Sequence, residues 1–215
     1  MPVDPPIAQV LEAPEAVSSM EAMSLRELRN VYPPPATREP VGQEQDLRIP
    51  CAEGGVPARL YRPPSPLCAG LTVLFRGGGF LIGGIGSNDA ACKRLCNLSG
   101  AAVLSIDYRL APEHKFPAAP NDGLQAAQQA PAWELDRERL VPADDSAGGT
   151  LAEVTALRLR DEGERSAHRL LDAGLPVTLR RENGLIHGFF RMFTQSNKAN
   201  RAVEDTARWI RRAMA

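Results

Sequence analysis

Ser146, in the run Asp145-Ser146-Ala147-Gly148-Gly149, has the surroundings best suited to nucleophilic chemistry. A serine hydroxyl becomes a nucleophile when a base takes its proton and the backbone holds it clear of its neighbours. The pattern that does this is Gly-x-Ser-x-Gly, in which small flanking residues let a strand turn sharply into a helix. Here Asp144 occupies the first small position, and Ser-Ala-Gly-Gly reads equally well as a plain turn before a helix. The second chemical group is Arg76-Gly77-Gly78-Gly79-Phe80, whose glycines leave backbone N–H groups unshielded and able to converge on a developing oxyanion. A flexible loop is the plainer alternative. A phosphate cradle is disfavoured, because neither a Gly-Lys-Ser/Thr ending nor a correctly spaced Gly-x-Gly-x-x-Gly is present.

A serine nucleophile needs a base, and the chain offers His114, His168 and His187. His168 lies in the charged helical stretch Glu164–Leu170, and His114 in a polar loop with no strand end to position it. His187 follows the strand-like Val177-Thr178-Leu179-Arg180 and precedes Gly188-Phe189-Phe190, a loop after a strand, where catalytic side chains are commonly carried.

The elements that must position these groups follow from hydrophobic patterning. Leu71–Phe75 is a short apolar, β-rich run that empties into the glycines, and the run ending Val103-Leu104-Ser105-Ile106 is a second buried strand. Gln45–Ile49 and Val56–Tyr61 read as strands joined through Glu53-Gly54-Gly55. Asp89–Asn97 and Gly123–Gln129 read as helices, and the last helix carries Val203, Ala207, Ile210 and Met214 on one face. Cys92 and Cys96 fall on one helical face at a spacing that suits burial better than a metal. From Gly149 to about Ala173 the chain is nearly continuous helix former, about 37 Å long at 1.5 Å per residue.

Asp107-Tyr108-Arg109-Leu110-Ala111-Pro112-Glu113, with the glycine run, Asp145-Ser146-Ala147-Gly148-Gly149 and Ile186-His187-Gly188-Phe189, makes four ordered blocks. In that order they resemble the hormone-sensitive-lipase-like branch of the α/β-hydrolases. The resemblance implies an α/β-hydrolase fold with a mostly parallel sheet, and a short N-terminal helical cap over residues 1–40 ahead of a core over 41–215. It implies Ser146 as nucleophile and His187 as base, with the N–H groups of Gly78, Gly79 and Ala147 as oxyanion hole. The substrate would be a small ester with a short acyl chain; no cofactor and no metal are implied.

Several positions depart from the family pattern. Arg76 replaces a histidine before the glycines, and it cannot accept the hydrogen bonds an imidazole accepts. Asp144 puts a side chain and a charge beside Asp145, where strain and like-charge repulsion are expected. Pro142 lies in the expected central strand and cannot donate a ladder hydrogen bond. Only 41 residues separate Ser146 from His187, too few for the strands and pocket segment the family places there. We expect that the core is truncated between about 160 and 165, at the one Leu159-Arg160-Asp161-Glu162-Gly163 stretch. The family's triad acid then aligns with Leu157. Asp161, Glu162 and Glu182 are nearby acids that no spacing ties to the imidazole. Weak or lost esterase activity is expected, with a non-catalytic remnant or small-molecule-binding homologue as the alternative.

At 215 residues and 43% hydrophobic content the chain can bury one moderate core. A net charge of −1 gives no basic face for nucleic acid. The start, Met1-Pro2-Val3-Asp4-Pro5-Pro6, has no basic, apolar leader pattern, and no run is long enough to span a membrane, so a cytoplasmic protein is expected.

Overall fold

The computed structural model describes residues 3–11, 23–30, 39–51, 54–136, 139–144, 146–160, 182, 185 and 189–214. Five strands form one sheet: β1 (Gln43–Ile49), β2 (Val56–Arg62), β3 (Leu71–Phe75), β4 (Ala102–Ile106) and β5 (Leu140–Asp144). Their order across the sheet is β1-β2-β4-β3-β5. β2 runs antiparallel to both its neighbours, while β3 is parallel to β4 and to β5. Four strands therefore share one direction, and the mostly parallel sheet expected from the sequence is present.

The strand side chains alternate between two cores. Leu71, Val73 and Phe75 of β3 join Leu104 and Ile106 of β4 on one face, with Ala126, Ala127, Leu151 and Ala152 from the helices above. Leu74 and Val103 point to the other face, against Cys92, Leu95, Cys96, Val203, Ala207 and Ile210. Both central strands are buried along their whole length, as strands covered on two sides must be.

The helices are α1 (Pro5–Leu11), α2 (Leu25–Asn30), α3 (Asp89–Ser99), α4 (Ala118–Gln128), α5 (Gly148–Arg160) and α6 (Asn197–Ala213). From β3 the chain passes through α3 to β4 on one side; from β4 it passes through α4 back across β3 to β5. Parallel crossovers are right-handed, so reversing direction across the sheet puts α3 and α4 on opposite faces. α6 packs beside α3, and α5 beside α4.

Helix α4 begins at Ala118, earlier than the expected Gly123, since proline is tolerated in a first turn and Pro120 falls there. Helix α5 is described for 13 residues to Arg160. The rest of the long helix expected to Ala173, and the strand expected at Val177–Arg180, lie outside the described residues. At the N-terminus, Ser24 and Glu27 close the first turn of α2 reciprocally: the Glu27 N–H donates to Ser24 Oγ at 3.3 Å, and Ser24 N–H donates to Glu27 Oε2 at 2.8 Å. α1 lies elsewhere, with Asp4 accepting from the Ser196 hydroxyl that caps α6.

Pro142 was expected in a central strand. Among the described residues β5 is hydrogen-bonded on one side alone, to β3, with Pro142 opposite Val73. Leu140 to Ala143 are half-buried rather than buried, and Asp144 is exposed. A proline is compatible with such an edge, where its missing N–H interrupts no second ladder.

Candidate active site

β3 and β5 are adjacent and parallel, with Phe75 opposite Asp144. Beyond them the chain leaves in opposite directions, to α3 on one face and to α5 on the other. That divergence opens a crevice at the carboxyl ends of the two strands, the place where open α/β sheets bind ligands. The glycine turn follows β3 at this end of the sheet, and the Ser146 turn follows β5.

Ser146 has φ +59°, one of three non-glycine residues with positive φ among the described residues, and its side is exposed. L-residues rarely adopt this conformation, which costs roughly 1–3 kcal/mol and persists where the surroundings enforce it. The enforcing contact is visible. A Cβ on Gly148 would lie 2.2 Å from the Phe75 carbonyl oxygen, so the first residue of α5 touches the backbone of β3. This approach brings Ser146 and Ala147 beside the glycine turn. The plain-turn alternative accounts for neither the strain nor the contact.

Gly78 has φ +126° and Gly79 φ +59°. The Gly78 carbonyl accepts from the N–H groups of Leu81 and Ile82, both at 3.0 Å, and a Cβ there would strike Ile82 O at 2.3 Å. The turn therefore requires glycine at this position. Gly79 and Ser146 are both exposed, and Ala147 is half-buried.

Asp144 is accommodated differently from the expectation. The left-handed conformation falls on Ser146, while Asp144 ends β5 as an ordinary strand residue, so its Cβ causes no backbone strain. Its exposed carboxylate lies over the first turn of α5, with Oδ1 3.1 Å from where a Gly149 Cβ would stand. Negative charge is favoured beside a helix N-terminus. Asp145, the other half of the expected repulsion, lies outside the described residues.

Arg76 is fully buried and forms the rear support of the glycine turn. Its guanidinium pairs with Asp107 at 3.0 Å, lies 4.1 Å from the centre of the Tyr108 ring, and donates to the carbonyls of Ile106 and Tyr108. The Tyr108 hydroxyl donates back to the Arg76 carbonyl at 2.8 Å. Burial pushes the Asp107 carboxyl up, and the Arg76 charge opposes that shift. The next residue, Arg109, is held by Asp122, whose buried carboxylate accepts from the Arg109 backbone N–H and from its guanidinium. Asp107, Tyr108 and Arg109 thus each secure the crevice from behind. Sequence reasoning saw the segment as a family marker and missed these pairings, because the partners are 13 to 32 residues away in the chain.

His187, the base of the sequence reading, lies outside the described residues, as do His168, Asp161 and Glu162. Glu182 is half-buried, and His114 is exposed. No group of three or more His, Cys, Asp or Glu able to hold a metal occurs among the described residues. None of the described helices is long and apolar enough to cross a membrane.

Sheet order, crossovers and a strained serine between a strand and a helix define an α/β-hydrolase. A family model described as alpha/beta hydrolase fold matches residues 72–166, and the chain belongs to that family. Among curated proteins, it is 40% identical over 141 residues to an ethyl acetate hydrolase of Pseudomonas putida, covering 62% of this chain and 44% of that protein. It is 38% identical over 177 residues to esterase LipI of Mycobacterium tuberculosis, covering 75% of this chain and 53% of that one. The chain therefore spans about half the length of these relatives. Among solved structures, an esterase of Pyrobaculum calidifontis superposes with a TM-score of 0.86 at 26% identity, covering 100% of both chains.

Proposed function

We propose that this chain is a carboxylic-ester hydrolase of the serine type, acting on small esters with short acyl chains. Ser146 attacks the ester carbonyl, His187 takes its proton and returns it to the leaving alcohol, and the N–H groups of Gly78, Gly79 and Ala147 receive the oxyanion. The observation that carries this reading is the exposed Ser146 at φ +59°, on a turn pressed against the strand that feeds the glycines. The esterases among its relatives support the same reaction class.

Turnover is proposed to be low. Ser146 and His187 stand too close in sequence for the family's intervening strands, and the acid's matched position is Leu157. Loss of the acid from a serine triad lowers turnover by about four orders of magnitude and leaves oxyanion-hole catalysis behind. The half-length match to the curated relatives supports a truncated core, and with it the alternative of a non-catalytic remnant or small-molecule-binding homologue. Hydrolysis of p-nitrophenyl acetate and butyrate by the purified chain and by Ser146→Ala separates the two. Turnover above buffer that disappears in the variant is expected; equal rates in both proteins would refute the esterase reading.

A further inference from the structure

Among the described residues of the N-terminal segment, Arg29 makes a dense set of polar contacts with the loops after β3 and β4. From α2 its Nε donates to the Leu81 carbonyl at 2.8 Å, and Nη2 donates to the Ala111 carbonyl at 2.9 Å. Nη1 and Nη2 grip the two Glu113 oxygens at 2.8 and 2.9 Å. One planar group thus joins three chain segments, the helix α2, the glycine turn after β3 and the loop after β4. We propose that Arg29 is a positioning residue, a latch that locks the glycine turn against the loop after β4 and so fixes the direction of the Gly78 and Gly79 N–H groups. The catalytic part of the proposal rests on the esterase reading given above.

The point of attachment is where the turn most needs support. Phe80 has φ +65°, and its carbonyl accepts from the Ala111 N–H at 2.9 Å, which already ties the two loops at one place. Arg29 adds a second tie on either side of it, at Leu81 and at Ala111 itself. The Leu81 and Ile82 N–H groups meanwhile bond back to the Gly78 carbonyl. Leu81 is therefore held from inside by Gly78 and from outside by Arg29. A lysine cannot substitute, since its single ammonium has three donors and no planar fork, and Arg29 makes four bonds, to two carbonyls and to both Glu113 oxygens. The Arg29 hydrogen bonds hold Glu113 well below the usual carboxylate range, at about 2, so the latch stays charged on both sides at neutral pH.

The test compares the wild type with Arg29→Lys, Arg29→Gln and Glu113→Gln, using Arg26→Lys on the exposed side of α2 as control. Two readouts are taken: p-nitrophenyl butyrate kinetics and deuterium exchange of the peptide spanning residues 78–82. In Arg29→Lys and Arg29→Gln, kcat is expected to fall about 10-fold with KM within about 2-fold, as befits a small misplacement of transition-state donors. Glu113→Gln is expected to share the effect in part, and the control to match the wild type. Exchange at 78–82 is expected to quicken about 10-fold while β3 and β4 keep their protection. Unchanged exchange overturns the latch. Faster exchange with unchanged kcat, or a rise in KM alone, overturns its positioning role. If the wild type has no Ser146-dependent turnover, the esterase reading fails by itself and exchange alone still decides whether the latch exists.

Discussion

Gly148 and Gly149 begin the same helix, yet alanine is expected to have opposite effects at the two positions. At Gly148 the new Cβ would stand 2.2 Å from the Phe75 carbonyl oxygen and 2.8 Å from its carbon, both backbone atoms of a buried strand. Neither can rotate away, so α5 must lift from β3. Overpacking of this kind costs about 1–3 kcal/mol, and a rigid partner puts this site at about 3. Alanine returns about 1 kcal/mol of helix propensity, which leaves a net loss of about 2. For a chain of this size that lowers the melting temperature by about 4–8 °C. At Gly149 the nearest atom is the Asp144 carboxylate oxygen at 3.1 Å, the end of a side chain that can move. The propensity gain then dominates, and the melt is expected to rise by about 2 °C. Thermal unfolding followed by circular dichroism measures both. If Gly148→Ala melts at or above the wild type, or Gly149→Ala loses as much as its neighbour, the close approach of elbow and strand is not what holds Ser146.

Other changes test other parts of the argument. Ser146→Gly should be more stable than Ser146→Ala by about 1 kcal/mol, because glycine adopts φ +59° freely, while neither variant hydrolyses ester; equal midpoints in urea would deny the strain. Asp122→Asn leaves the Arg109 guanidinium without its buried counter-charge and should cost about 3 kcal/mol in urea unfolding; a loss below 1 would show the pair to be dispensable. Burial pushes the Cys92 and Cys96 thiols up to about 12, so the folded state keeps them neutral while the unfolded chain ionises them near 9. Their contribution is present below pH 9 and is lost as the pH rises from there toward 12. A thiol reagent at pH 8 should label Cys51 and Cys68 in the native protein and reach the other two only on unfolding.

Periodicity gave the strands Leu71–Phe75 and Ala102–Ile106 nearly residue for residue, because covered strands can carry nothing but apolar and small side chains, while α4 starts at Ala118 and not at the expected Gly123. Ser146 and the glycines were legible too, since a strained turn and an N–H-rich loop tolerate few residue types. The substitutions were harder to weigh. Arg76 and Asp144 looked like damage when each was set against a pattern, and both have local partners in the fold.

The sequence by itself determined the fold class and singled out the candidate nucleophile and the glycine turn, all of them properties of short contiguous runs. Tertiary structure decided whether the odd residues harm the site. Arg76 pairs with Asp107 and lies over the Tyr108 ring across a strand pair, Asp144 lies at a helix end, and Arg29 reaches the glycine turn from 52 residues away. Such pairings depend on which strand lies beside which, and hydrophobic periodicity carries no record of partners so distant along the chain.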